Sequence, residues 1–162
     1  MKRNLEEWIK RFADFFLAVF MFLMFVIVCL QVFFRYVLEK PLSWSEELAL
    51  YIFVWISFIG GAVALGQRLH FGIDYLVNKL PPRFSASVEI LASLLSLVFV
   101  LMLIFKGYET TIAAKSFRSA GMEIRMDAVY ASIPISAVIM AYYLIGHIVQ
   151  ASEKLRGRTH SK

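Results

Sequence analysis

Four stretches of this chain are long, apolar and free of charge at their centres, and no other feature limits its possible folds so tightly. Residues 15–34 hold no charge, and Gln31 is their only strongly polar residue. Residues 48–67 and 128–152 are also uncharged, and residues 84–105 carry one acid, Glu89, near their start. A helix needs roughly 20 apolar residues to cross the hydrocarbon core. A charge at the centre of a span costs on the order of 2.5–3.5 kcal/mol. The runs are continuous, without the alternation of a membrane barrel strand. A helix is then the way to satisfy their backbone in lipid. The sequence therefore predicts an all-α integral membrane protein with four transmembrane helices, at about 12–36, 46–67, 84–109 and 128–151. They form a single membrane domain over 1–162, ending in a polar tail at 153–162.

Composition agrees. The chain is 60% apolar and 18% charged, whereas a soluble domain averages roughly 45–50% and 25%. That much apolar surface cannot be hidden inside one small globule, so it faces lipid or a large partner. The net charge of +5 does not indicate nucleic acid. Lys and Arg cluster at the ends of the apolar runs, where phospholipid headgroups lie, and form no basic stripe on a soluble face. The single cysteine, Cys29, excludes a disulfide within the chain. The first apolar run is too long for a signal-peptide core of roughly 7–15 residues and ends in no small-residue cleavage site. It reads as an uncleaved span.

Orientation follows from the distribution of positive charge. With the N-terminus inside, the inner segments hold 11 Lys and Arg and the outer segments hold 6, namely Arg35, Lys40, Lys106, Lys115, Arg118 and Arg125. Both termini are expected in the cytoplasm.

The connections differ in kind. Around Pro41 the first outer turn is tight, and Ser43-Trp44-Ser45-Glu46 fits a capping box that opens the second helix. The inner segment 68–83 ends in Pro81-Pro82, and its Phe71, Ile73, Leu76, Val77 and Leu80 suit a short amphipathic helix at the interface. Within it His70 and Asp74 stand four apart, able to pair with each other or to touch a partner's inner loops. The outer segment 106–127 is the longest. Residues 110–117 are expected to extend the third helix outward, with Gly121 breaking it.

Small residues mark packing faces, because lipid offers helices no hydrophobic drive to associate. Ser57 and Gly61, Gly60 and Ala64, Ala62 and Gly66, Ala92 and Ser96, and Ala137 and Ala141 are each four apart. They serve either packing within a four-helix bundle or a seam for another subunit. Tyr51, Trp55 and Ile59 form an i, i+4, i+8 ridge beside the seam of Gly60, Gly61 and Ala64. Tyr36 and Trp44 suit an aromatic belt at the outer interface. Glu89, Ser93 and Ser96 make one polar face on the inner half of the third span. Glu89 has two readings: a structural ion pair with Arg68, Lys79 or Arg83, or a part in ion movement.

Chemistry is hard to place on this chain. There is no glycine-rich phosphate loop, nucleophile elbow or metal-binding helix motif. Glu46 and Glu47 are adjacent, so on a helix they face different ways and make no acid–base pair. His70 and His147 lie near the inner ends of spans, too shallow for a haem held between helices. No cofactor, metal or catalytic residue is expected.

One longer pattern remains. Phe34-Arg35-Tyr36, Pro41, Trp44-Ser45-Glu46-Glu47, Trp55, Gly60-Gly61-Ala62, His70 and Asp74, with Pro134 in the last span, occur in an order that resembles the small membrane subunit (DctQ type) of tripartite ATP-independent periplasmic (TRAP) transporters. The resemblance covers nearly the whole chain and is densest between Arg35 and Pro82. Residues 121–127 depart from it, where the family often has proline and aromatic residues. The resemblance implies a bacterial inner-membrane protein that binds and enlarges a large transport subunit. In such systems a periplasmic solute-binding protein captures an organic acid, and the large subunit moves it inward with sodium. The small subunit is not expected to hold solute or ion, and these spans lack the paired broken helices of a mid-membrane transport site.

Under this reading Arg35 pairs with Glu46 or Glu47 across the first outer turn, and the rim of Arg35, Tyr36, Trp44, Glu46 and Glu47 stabilises that turn or helps dock the binding protein. Tyr51, Trp55, Ser57, Gly60, Gly61 and Ala64 pack on the large subunit. His70, Asp74 and Glu89 belong to the inner interface. The principal alternative is a membrane anchor for a redox enzyme complex, and a stand-alone small transporter is a weaker one.

Overall fold

A computed structural model describes the backbone of residues 2–66 and 82–155, with side chains from 7–66 and 87–153. The proposed interfacial helix, with His70 and Asp74, lies outside the described residues. Within them the chain is helical: α1 (Lys2–Tyr36), α2 (Ser43–Gly66), α3 (Pro82–Ala113), a short α4 (Asp127–Tyr130) and α5 (Ser132–Leu155). α4 and α5 together form the last span. Four helical stretches are long and apolar enough to cross a membrane: Glu7–Tyr36, Ser43–Gly66, Ser87–Ser116 and Asp127–Glu153.

Length sets where these helices protrude. At 1.5 Å per residue, the 35 residues of α1 reach about 52 Å and the 32 of α3 about 48 Å. A typical hydrocarbon core is about 30 Å thick. Both outlast a single crossing, whereas the 24 residues of α2 only slightly exceed it.

The helices do not close into a bundle. α1 packs on α2, α2 on α5, and α5 on α3. Among the described residues α1 touches neither α3 nor α5, and α2 does not touch α3. The spatial order is therefore an open row, α1–α2–α5–α3. The sequence predicted four membrane-crossing helices without their spatial order, and burial shows why an open row suffices. Among the described residues the largest fully buried side chains are Ser45, Ser132 and Ser136, while Phe15, Phe22, Phe25, Phe99 and Phe105 are more than 60% exposed. Lipid solvates phenylalanine as well as a protein core does, so nothing compels these rings inward. What brings helices together is close fit.

That fit takes two forms. Along α1, Ala13, Leu17, Phe20, Met24, Ile27, Gln31 and Phe34 recur at alternating spacings of four and three. They are the more buried positions of the helix and form a heptad seam toward α2. Ala13 joins Ile59 and Val63 there, with Phe16, Leu17 and Trp55 against them. On the other side of α2 the contacts are closer. A Cβ added at Gly66 would lie 2.7 Å from the Tyr143 ring, and one at Gly61 3.3 Å from Met140 Cε. Between α3 and α5, a Cβ at Gly107 would lie 2.8 Å from Ile133 Cγ2 and 3.2 Å from Pro134 Cδ. Below it Val100, Ala137 and Leu144 make a buried cluster.

The outer connection is more ordered than the sequence suggested. α3 continues through a 3-10 turn at Ala114–Ser116, and Phe117 is extended. The chain then folds back as a small hairpin. Arg118 pairs with Arg125, Ser119 N–H donates to the Ile124 carbonyl at 2.9 Å, and Met126 N–H donates to the Phe117 carbonyl at 3.0 Å. Glu123, at φ 54°, sits at the hairpin tip in the left-handed region that side chains seldom adopt. The third helix therefore ends before Gly121, which belongs to the hairpin.

Candidate functional site

Two adjacent acids at the start of α2 organise the outer rim, and helical geometry separates their tasks. Successive residues on a helix point about 100° apart, a consequence of 3.6 residues per turn. Glu46 turns toward α1. Its Oε1 accepts from Gln31 Nε2 at 3.1 Å and from Arg35 Nη1 at 3.4 Å. The Arg35–Glu46 staple is thus formed with Glu46 and not with Glu47. These bonds take Oε1 of Glu46 across to α1. Ser45 Oγ donates to the Leu42 carbonyl at 2.7 Å and secures the turn. Both side chains of the ion pair are more than half exposed, which limits the pair to about 1 kcal/mol.

Glu47 turns the other way, toward the hairpin 74 residues distant in sequence. The Gly121 N–H donates to its Oε1 at 2.9 Å. Beside it the Met122 N–H donates to Ser119 Oγ at 3.3 Å. Oε2 is enclosed and finds no donor at bonding geometry among the described residues. Gly121 is what permits the approach: a Cβ there would stand 3.2 Å from Oε2 and 3.3 Å from the carboxyl carbon. One turn further in, the Tyr51 hydroxyl donates to Met126 Sδ at 3.5 Å. The hairpin is thereby latched over α2. Between them opens a cavity of ≈ 520 Å³, lined by Glu47, Tyr51, Phe117, Arg118, Ser119, Ala120, Met126 and Tyr130.

The remaining predicted residues fall into three places. Tyr36 and Trp44 are exposed at the outer ends of α1 and α2, 74% and 38% respectively. The ridge on α2 is largely used inside the chain. Tyr51 and Ile59 are buried, and Trp55 lies 6.0 Å from the Phe16 ring of α1. A Cβ at Gly60 would be in ordinary contact with Leu17, and Gly61 faces α5. Ser57 remains exposed, its hydroxyl donating to its own helix at the Phe53 carbonyl. With Leu50, Phe53, Gly60 and Ala64 it makes a line at spacings of three and four whose outer part is open. Glu89, Ser93 and Ser96 are half-buried on the inner half of α3, while Arg68 and Lys79 and the Arg83 side chain lie outside the described residues. No group of three or more metal-ligating side chains occurs among the described residues.

Sequence reading missed the second half of the rim. Gln31 was visible as the lone polar residue of its span, with Glu46 fifteen residues on. Ser119, Gly121 and Met126 carried no such signal, because their partners lie more than 70 residues away.

Comparison with known proteins decides the family. The profile described as "Tripartite ATP-independent periplasmic transporters, DctQ component" matches residues 24–154. The chain belongs to this family. It is a transport component, not an enzyme, and a multi-pass protein of the inner membrane. It is 32% identical over 142 residues, 88% of its length, to the sialic acid TRAP transporter permease protein SiaT of Haemophilus influenzae, and covers 22% of that protein. It is 30% identical over 104 residues, 64% of its length, to a putative TRAP transporter small permease protein of the same species, covering 65% of it. Against the sialic acid TRAP transporter small permease protein SiaQ of Vibrio cholerae it is 27% identical over 127 residues, 78% of its length and 73% of that protein. The DctQ-type chain thus spans less than two thirds of the first two relatives, and in SiaT its counterpart is one part of a much longer permease.

Proposed function

We propose that this chain is the small, non-catalytic membrane subunit of a sodium-coupled TRAP transporter for an organic acid. In this reading it binds the large transport subunit and enlarges its static framework. The observation that carries the proposal is the open row. Four spans leave both row faces without a closed core and keep charge out of mid-membrane, which suits a slab laid against another protein and ill suits a conduit. The relation to SiaT supports the choice of partner, since there the same kind of segment is continuous with a longer permease. The redox-anchor reading is left without support.

The partner-facing seam is assigned to α2. Of Tyr51, Trp55, Ser57, Gly60, Gly61 and Ala64, the residues with room for a second protein are Ser57 and Ala64, together with Leu50 and Phe53 on the same line. Both termini are inside, by the excess of inner Lys and Arg. The outer rim helps to dock the periplasmic binding protein. Because Glu46 and Glu47 are engaged within the chain, the hairpin that Glu47 supports, with Phe117 64% exposed, is the docking element, and Glu47 acts by holding it.

Co-expression with the large subunit of the same system tests this. The two should co-purify in mild detergent, and reconstituted uptake of the organic acid should require both chains, the binding protein and an inward sodium gradient. Uptake by either membrane chain alone, or no association between them, overturns the proposal. Replacing Ser57 with Leu should abolish co-purification while leaving the isolated chain folded.

A further inference from the structure

The cavity under the outer hairpin has a composition that packing alone does not explain. Its volume, ≈ 520 Å³, falls within the range of small-molecule sites, roughly 300–1,000 Å³. Tyr51, Phe117 and Tyr130 contribute three aromatic rings and Met126 a thioether. Among these stand one acid, Glu47, and one base, Arg118. The carboxylate holds a single bond of full geometry, from Gly121, with its second oxygen enclosed and one donor short. Arg118 is exposed and directs Nη1 to the Glu123 carbonyl at 3.2 Å; a guanidinium has five N–H donors to offer.

Each component selects for chemistry. Aromatic faces beside a carboxylate attract an organic cation. An exposed guanidinium is suited to a phosphate, which it can grip with two parallel bonds. A ligand carrying an ammonium and a phosphate a short distance apart satisfies both. Depth narrows the source. Glu47 and Tyr51 lie within the first turns of α2, next to Trp44, and Tyr130 ends α4 where the last span begins. Tyr36 and Trp44 exposed at this level suit a headgroup region, which the orientation proposed above puts in the outer leaflet. A lysine from a periplasmic protein would meet the acid and the rings but leave Arg118 without an anion.

We propose that this pocket binds the headgroup of an amine-bearing zwitterionic phospholipid, with the ammonium toward Glu47 and the aromatic rings and the phosphate on Arg118. The proposal does not depend on the transporter reading. Native mass spectrometry of the full chain, released from detergent supplemented with phosphatidylethanolamine or with phosphatidylglycerol of the same acyl chains, is the test. The ethanolamine lipid should be retained as a one-to-one adduct in preference to the glycerol lipid. Arg118→Gln, which leaves the Glu47 latch intact, should reduce retention roughly tenfold, as expected for loss of a charge-assisted contact. Glu47→Gln should erase the preference between the two lipids, and circular dichroism will show whether the helices survive. Soluble phosphoethanolamine in excess should compete the lipid off if the headgroup alone is recognised. Equal retention of both lipids, or retention unchanged in Arg118→Gln, overturns the proposal. So does carbodiimide coupling of Glu47 to a lysine of the binding protein at undiminished lipid occupancy, which would make the occupant a protein side chain.

Discussion

The two flanks of α2 are held by different means. Toward α5, and onward to α3, the backbone itself makes the contact: Gly66 admits the Tyr143 ring, and Gly107 admits Ile133 and Pro134. Toward α1, large side chains mesh along a heptad seam, and polar bonds from Gln31 and Arg35 to Glu46 close its outer end. The first arrangement is intolerant and local. The second is spread over about six turns and tolerant. In lipid, where burying a phenylalanine yields little, the close-fitting flank carries the larger share of specificity.

The largest expected effect tests the close-fitting flank. Gly107→Leu must displace Ile133 and Pro134, and overpacking of this kind costs about 1–3 kcal/mol. Unfolding of the protein in bicelles should shift by that amount, whereas Ala18→Leu on the exposed face of α1 should leave it unchanged. Equal shifts in both would erase the distinction. Next comes the meshed flank. Trp55→Ala removes the ring that faces Phe16, yet it is only half-buried, so a loss of about 1–2 kcal/mol is expected, below the 3–5 kcal/mol of a fully buried site. A disulfide between cysteines placed on α1 and α2 should form less completely in that variant.

Smaller effects belong to the rim. Glu47→Ala removes the acceptor of the Gly121 N–H and leaves a donor to find water, a small loss to global stability. Its signature is local: trypsin should cut sooner at Arg118 and Arg125 while the spans stay intact. Arg35→Ala should cost least, under about 1 kcal/mol, and less still at high salt. If Arg35→Ala destabilises more than Trp55→Ala, the clamp and not the seam holds α1.

Much of this was legible beforehand, and the limit has a physical origin. Span number and helical state follow from uncharged length alone. The Arg35–Glu46 staple was readable because a tight turn brings neighbours in sequence together. The row was not readable. Its order depends on which helix presents a gap that another's side chain fits, as Gly66 does for Tyr143, and small residues occur on every span. The Glu47 latch was hidden for a related reason, since its donor is the backbone N–H of Gly121 in a distant hairpin, and backbone amides leave no mark in composition. The ridge of Tyr51, Trp55 and Ile59, expected to face a large partner subunit, makes contacts with α1 and the hairpin inside the chain.

Among the described residues the largest side chains enclosed almost completely are serines, and this has a practical consequence. A protein that fully encloses so few large side chains stores little of its own shape; the surrounding solvent keeps the rest. Handling should therefore govern what is measured. In harsh micelles the helices are expected to slide apart at the meshed seam first, and in nanodiscs to stay ranked. The choice of amphiphile thus acts as a structural variable for this molecule, on a par with a mutation.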